Sequence, residues 1–306
     1  MSAITPSTDT PDTAHRFTGT DVLLIIMAVI WGVNVPVVKS VTAVLDPLAY
    51  NAVRVTLAAV AMLVIAWATA APGEGFSRLS RRDALTLVGL GVIGNGLYQL
   101  GFVEGVARAK AGDAALVLAA SPAMIALIGR GLGVERVSMR GYFGIALSIA
   151  GIALVVIGTA GAVGGSTLLG AAMILAGSLC WAIFSVLITP YANRIDALRV
   201  GALTMGGGAV ALVLVSIPQL ARMPWRGITV VTWGAILYSG IGSLVIAYLF
   251  WQRGVRVLGP TRTAMYSNLQ PGVALIAAWL ALGEVPTAWQ GVGAATIIAG
   301  VVMTRA

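Results

Sequence analysis

The chain has 306 residues, 58% of them hydrophobic and only 10% charged, against roughly 25% charged in soluble domains. That balance excludes an ordinary soluble globule and places the protein in a membrane. The formal charge of +8 does not indicate nucleic acid, because the basic residues punctuate apolar runs instead of gathering on one face.

Residues 1–20, rich in Ser, Thr and Pro, lack the basic region and cleavage site of a secretory signal and are expected to form a disordered tail. From Val22 onward, apolar stretches near the roughly 20 residues that cross a bilayer follow one another. Ten helical spans are predicted: Val22 to Val41, Leu48 to Ala71, Ala84 to Gly105, Asp113 to Val134, Gly141 to Gly158, Leu168 to Thr189, Leu198 to Ile217, Ile228 to Trp251, Thr263 to Leu282 and Ala288 to Met303. Continuous apolar runs exclude a transmembrane barrel, whose strands alternate over about ten residues. The expected fold is an all-α membrane bundle with short loops.

Thirteen of the nineteen Lys and Arg fall on the side that holds both termini and five on the other, with Arg54 inside the second span. Basic residues near span ends are retained on the cytoplasmic side, so both termini are expected there, in a plasma (bacterial inner) membrane. The same bias accounts for the net charge through contact with anionic lipid, with no nucleic acid or other acidic partner required.

Sliding the sequence by 149 positions pairs Gly105 with Gly254, Pro122 with Pro271, Glu135 with Glu284, Gly144 with Gly293 and Gly151 with Gly300; a shift of 150 pairs Trp31 with Trp181. Both halves read as a span ending in Gly-Val, a span with a central proline, a Glu at its exit and a glycine-studded span. Five spans separate the halves, and five is odd, so the halves are expected to be inverted repeats, residues 21–160 and 161–306, working by alternating access around a central site.

The first span reads Ile30-Trp31-Gly32-Val33-Asn34-Val35-Pro36-Val37-Val38-Lys39, the second carries Arg54 near its start, the fourth has Ser121-Pro122 and exits at Glu135, and the ninth has Gln270-Pro271 and exits at Gly283-Glu284. In these features the chain resembles the EamA-type branch of the drug/metabolite transporter superfamily, most of all the aromatic amino-acid exporters of the YddG type. The resemblance implies ten helices in two five-helix repeats and export of a small metabolite.

Polar and aromatic residues at mid-depth need partners or water, since hydrocarbon leaves them unsatisfied. They nominate a substrate site of Trp31 and Asn34 in the first span; Asn95, Tyr98, Gln99 and Phe102, one face of the third at i, i+3, i+4 and i+7; Trp181 and Ser185 in the sixth; Tyr238 and Ser243 in the eighth; and Tyr266, Asn268 and Gln270 in the ninth. Such a lining suits a small zwitterion with an apolar side chain, with Arg54 as a candidate counter-ion for its carboxylate. Hinges are expected at Pro36, Pro122 and Pro271, which each remove a backbone bond, and at Gly94 and Gly96.

Near span ends, Tyr50, Tyr191, Trp225, Trp233 and Trp289 are expected as interfacial anchors. Glu104 and Asp113 beside Arg108 and Lys110 read as a solvated ion-pair cluster, and the matched pair Glu135 and Glu284 as loop-fixing residues, each bonding the next helix start. The acidic residues all fall in tails, loops or span ends. Facilitated diffusion is therefore expected ahead of the alternative, multidrug or metabolite efflux by substrate/proton exchange. One cysteine (Cys180) and one histidine (His15) exclude a disulfide framework, a His/Cys metal set and a Cys/His catalytic pair, so no enzyme activity and no cofactor are expected. The partners are a small-molecule substrate and membrane lipid, with monomer and homodimer both open.

Overall fold

The computed structural model describes residues 18–69, 79–133, 139–163 and 165–303. Among them every regular element is a helix: α1 (Gly19–Thr42), α2 (Pro47–Ala68), α3 (Arg81–Arg108), α4 (Ala111–Gly131), α5 (Met139–Val163), α6 (Gly165–Leu187), α7 (Ala197–Val215), α8 (Val230–Leu258), α9 (residues 260–282) and α10 (Ala288–Met303). Seven helices, α1 to α4 and α6 to α8, are long and apolar enough to cross a membrane, and Met139–Val155 in α5 is a shorter apolar stretch. The expected tail ends sooner than predicted, because α1 begins at Gly19; residues 1–17 and Glu135 lie outside the described residues.

Local chemistry sets the helix starts. Asp46 accepts from the Leu48 and Ala49 amides to cap α2, with Pro47 in its first turn, and Asp196 accepts from Leu198 and Arg199 to cap α7. Each satisfies donors that a helix N-terminus leaves open. Ser80 and Thr229 do the same for α3 and α8. At the other end of α9, Gly283 adopts a left-handed φ of 69°, and the Glu284 amide reaches back to the Ala278 carbonyl, a glycine-terminated stop.

Three irregularities depart from straight spans. Helices α3 and α8 each contain a π segment, Val92–Leu97 and Tyr238–Ala247. Helix α4 is broken at residues 119–120, with Pro122 opening its second part, and α9 passes through a 3-10 turn, Ser267–Leu269, before Pro271. Pro36, by contrast, leaves α1 unbroken. Of the two hinge glycines, Gly94 sits where an added Cβ would strike the Phe184 ring, so it is a packing glycine, while Gly96 has room. Helix α8 continues seven residues past Trp251, where its span was expected to end, because its last turns turn Trp251 and Val255 inward and Arg253 and Arg256 outward.

Close crossings recur at related positions. Gly91 of α3 meets the Thr204 backbone of α7, and Gly240 of α8 meets the Arg54 backbone of α2; Gly105 meets Ile174, and Gly254 meets Leu24. Between α5 and α10, Gly151 faces Gly293 and Gly300 faces Gly144. In each case a shift of 149 or 150 positions carries one contact onto the other. Small residues let the backbones approach this closely, which is the main source of helix association in lipid.

Candidate functional site

The centre of the bundle holds a cavity formed by α1, α2, α3, α4, α6, α8 and α9. From α1 come Trp31 and Asn34, from α2 Arg54, and from α3 Asn95, Tyr98, Gln99 and Phe102. Trp181 of α6, Ser243 of α8 and Gln270 of α9 complete the predicted residues that reach it. Its volume is about 60 Å³, well below the roughly 300–1,000 Å³ of typical ligand pockets. A bulky side chain therefore enters only if the surrounding rings move.

The rings form one connected wall. Trp181 lies 5.1 Å from Tyr98, 5.4 Å from Trp251 and 6.0 Å, edge-on, from Trp31. Trp31 is held in turn by an Nε1 bond of 3.0 Å to the Ser243 carbonyl. Beside this wall Asn95 is fully buried, with the Tyr248 hydroxyl as its neighbour, and among the described residues Asn34 Oδ1 has no hydrogen-bond partner. A buried amide short of partners is costly in a low-dielectric interior.

Arg54 is also fully buried. Its Nε donates to Asn51 Oδ1 at 3.1 Å, Nη1 to Ser239 Oγ at 2.9 Å, and Nη2 to Gln99 Oε1. Its guanidinium carbon lies 5.4 and 5.5 Å from the Tyr50 and Phe102 ring centres. Tyr50, expected as an interfacial anchor, is completely buried instead, because its ring is one face of this cation's cage. Trp225 and Trp289, by contrast, remain exposed as anchors would be.

Four predicted site residues point elsewhere. Tyr238 donates to the Ile30 carbonyl and ties α8 to α1; Ser185 donates to the Trp181 carbonyl within α6. Tyr266 bonds Asp21 at the start of α1, and Asn268 lines a separate apolar crevice with Leu116 and Ile297. Conversely, Val35, Leu118, Ser121, Leu244, Tyr248 and Ser267 line the cavity without having been nominated. Tyr248 was the findable one: it is the only tyrosine in the stretch beside Trp251, one turn inside the expected end of that span.

The two ends of the bundle are tied by different chemistry. Where α1 begins, Asp21 is 3% exposed and accepts from the Thr18 amide and hydroxyl as well as from Tyr266, and exposed Arg194, in the loop after α6, pairs with Asp83 at 2.7 Å. That partner holds the Arg194 guanidinium above its ordinary range. At the opposite end, Lys39 donates to the Ala107 carbonyl, and Glu284 accepts from the Ala111 and Gly112 amides at 3.2 and 3.3 Å. Glu284 thus fixes a helix start as expected, but that of α4 in the other half of the chain, not the next helix. Of the residues expected in an ion-pair cluster, Glu104 pairs with Arg108, and Asp113 is buried and accepts from Gln290 Nε2 at 2.8 Å. Loss of the Glu284 cap should cost about 1 kcal/mol. Glu284→Ala is therefore expected to lower the melting midpoint in detergent, and Glu284→Gln, which keeps only one of the two accepting oxygens, to lower it less.

Similarity to known proteins fits this architecture. The model of the EamA-like transporter family matches twice, over residues 18–157 and 168–306. The uncharacterized transporter YyaM of Bacillus subtilis is 27% identical over 92% of this chain and 91% of its own length. A probable terminal-alkyne amino-acid exporter of Streptantibioticus cattleyicolor is 28% identical over the same shares, 92% and 91%. A crystal structure with 21% sequence identity superposes with a TM-score of 0.64, covering 92% of this chain and 94% of that one, which establishes a shared fold. With two family matches that together take in nearly all of its length, the chain belongs to the EamA-like transporter family.

Proposed function

We propose that the protein exports small amphiphilic metabolites, amino acids first among them, across a bacterial inner membrane. Ten spans in two five-helix inverted repeats, residues 21–160 and 161–306 after a short tail, carry both termini on the cytoplasmic side. The paired crossings Gly91 with Thr204 and Gly240 with Arg54, and the two family matches on one chain, support the repeat. The two halves exchange roles around the central cavity, so that it opens to one side and then the other.

The single observation that carries the reading is the cavity itself: two buried amides, one with an unpartnered oxygen, a buried cation and a wall of rings meet at one place between the helices. Hydrogen-bonding groups on one side and flat apolar surface on the other match an amino acid with an uncharged side chain. The amino-acid exporter among the relatives supports the same class.

Transport is facilitative on this reading, with the gradient of substrate as its drive. Exchange of substrate for protons is the second reading, and the buried Asp21 carboxylate, which joins α1 to α9 through Tyr266, favours it. Counterflow of labelled neutral amino acids in proteoliposomes tests the main proposal: accelerated uptake into preloaded vesicles is expected at equal pH on both sides. An absence of exchange over a broad amino-acid panel would overturn it, and uphill movement on an imposed pH gradient would favour the second reading.

A further inference from the structure

We infer that the cavity has a fixed polarity, with Arg54 seating a carboxylate of the substrate and the opposite half supplying an uncharged wall. The inference rests on the cavity being the transport site and narrows what that site accepts.

The partners of Arg54 are all neutral. Among the described residues no Asp or Glu lines the cavity, and the Glu104–Arg108 and Asp83–Arg194 ion pairs do not involve Arg54. A guanidinium buried without a counter-charge carries a large desolvation penalty, which an arriving anion relieves. Asn51, Ser239 and Gln99 take three of its five N–H donors, leaving donors for a carboxylate, whose two oxygens fit the guanidinium fork. The faces of the Tyr50 and Phe102 rings hold it in place.

The second half shows what this position looks like without the charge. Carried by 150 and 149 positions, Arg54 falls on Thr204 and Gln99 on Tyr248. The contact survives: Thr204 Oγ1 lies 3.3 Å from the Tyr248 hydroxyl, as Arg54 bonds Gln99. One geometry thus holds a cation and an amide on one side, a hydroxyl and a phenol on the other. A ligand between them is oriented by its charge: carboxylate toward Arg54, ammonium toward the unpartnered Oδ1 of Asn34, apolar side chain toward Trp181 and Tyr248. Amines without a carboxylate meet a like charge, so cationic drugs are excluded.

Titration calorimetry on the purified full chain tests this with leucine and phenylalanine, their amides and the corresponding decarboxylated amines, alongside counterflow of the same compounds. Losing a charge-assisted bond at a buried site lowers affinity about 10- to 100-fold, and that gap is expected between acid and amide in the parent protein. Arg54→Gln is expected to close the gap, with acid and amide bound alike, while Arg54→Lys keeps part of it. Melting midpoints show whether each variant is folded, and the parent series decides the matter if Arg54→Gln is not. Binding or exchange that ignores the carboxylate, or an Arg54→Gln protein that still prefers acid to amide, would overturn the inference alone. No exchange of any compound would overturn the transport reading with it.

Discussion

Gly91→Ala is expected to destabilise the bundle by about 3 kcal/mol, the upper part of the range for overpacking a filled interior. A Cβ built on Gly91 of α3 falls on the backbone carbonyl of Thr204 in α7. Backbone cannot rotate away as a side chain can, so one methyl must push two helices apart. The related crossing is looser: a Cβ on Gly240 would lie 3.1 Å from the Arg54 carbonyl and 3.1 Å from Leu57 Cδ2, where a flexible methyl gives way. Gly240→Ala should therefore cost about 1 kcal/mol. Gly89, two residues before Gly91, has nothing within 4 Å of its Cβ site, and Gly89→Ala should be neutral or raise stability by about 0.5–1 kcal/mol through helix propensity. Melting midpoints of the three variants in one detergent check the order. Similar losses at Gly91 and Gly89 would show that the α3–α7 crossing is not backbone-limited.

The tightness at Gly91 bears on the site. One turn further along α3, Asn95 packs against Gly208 of α7, close enough that a Cβ on Gly208 would sit 2.6 Å from the Asn95 Cβ. The same crossing that brings the backbones together sets the depth of the Asn95 amide.

Much of this was legible in the chain because apolar runs report lipid-crossing helices directly, and because Asn95, inside the π segment Val92–Leu97, and Tyr98, Gln99 and Phe102 after it all line the cavity. The same face argument failed in α9. Tyr266 and Gln270 lie four residues apart, which in a straight α-helix puts them on one side. The intervening 3-10 turn, Ser267–Leu269, is wound more tightly and rotates them apart, so Gln270 reaches the cavity while Tyr266 turns to Asp21. In α8 the π segment from Tyr238 to Ala247 slips the phase in the other sense, sending Tyr238 to the Ile30 carbonyl and bringing Tyr248 inward. Periodicity at 3.6 residues per turn has no way to register such slips. Burial of charge was also invisible in composition: Asp21 and Asp113 sit at helix ends, as their positions implied, yet both are buried and bonded to neighbouring helices, because polar partners follow from packing and not from depth.

Asn95→Leu separates a binding role from a structural one more sharply than any truncation of the aromatic wall. Trp181 touches rings from three other helices, Trp31 of α1, Tyr98 of α3 and Tyr248 and Trp251 of α8, so removing it is expected to cost about 3–5 kcal/mol, and any loss of transport would be confounded with loss of fold. Leucine has the branched outline of asparagine, keeps the Cβ packed on Gly208 and removes the amide that lies beside the Tyr248 hydroxyl. That hydroxyl keeps Thr204 and Gln252 as partners, so no buried donor or acceptor is newly stranded. The melting midpoint of Asn95→Leu should therefore stay near that of the parent. Transport should change all the same, because the substrate loses a donor and an acceptor in a dry site: a fall of about tenfold or more in exchange rate at low substrate is expected. Stability held while exchange falls is the signature of a residue retained for the ligand and not for the fold. A parallel fall in both would mean that Asn95 holds the helices together, and unchanged exchange would remove it from the site.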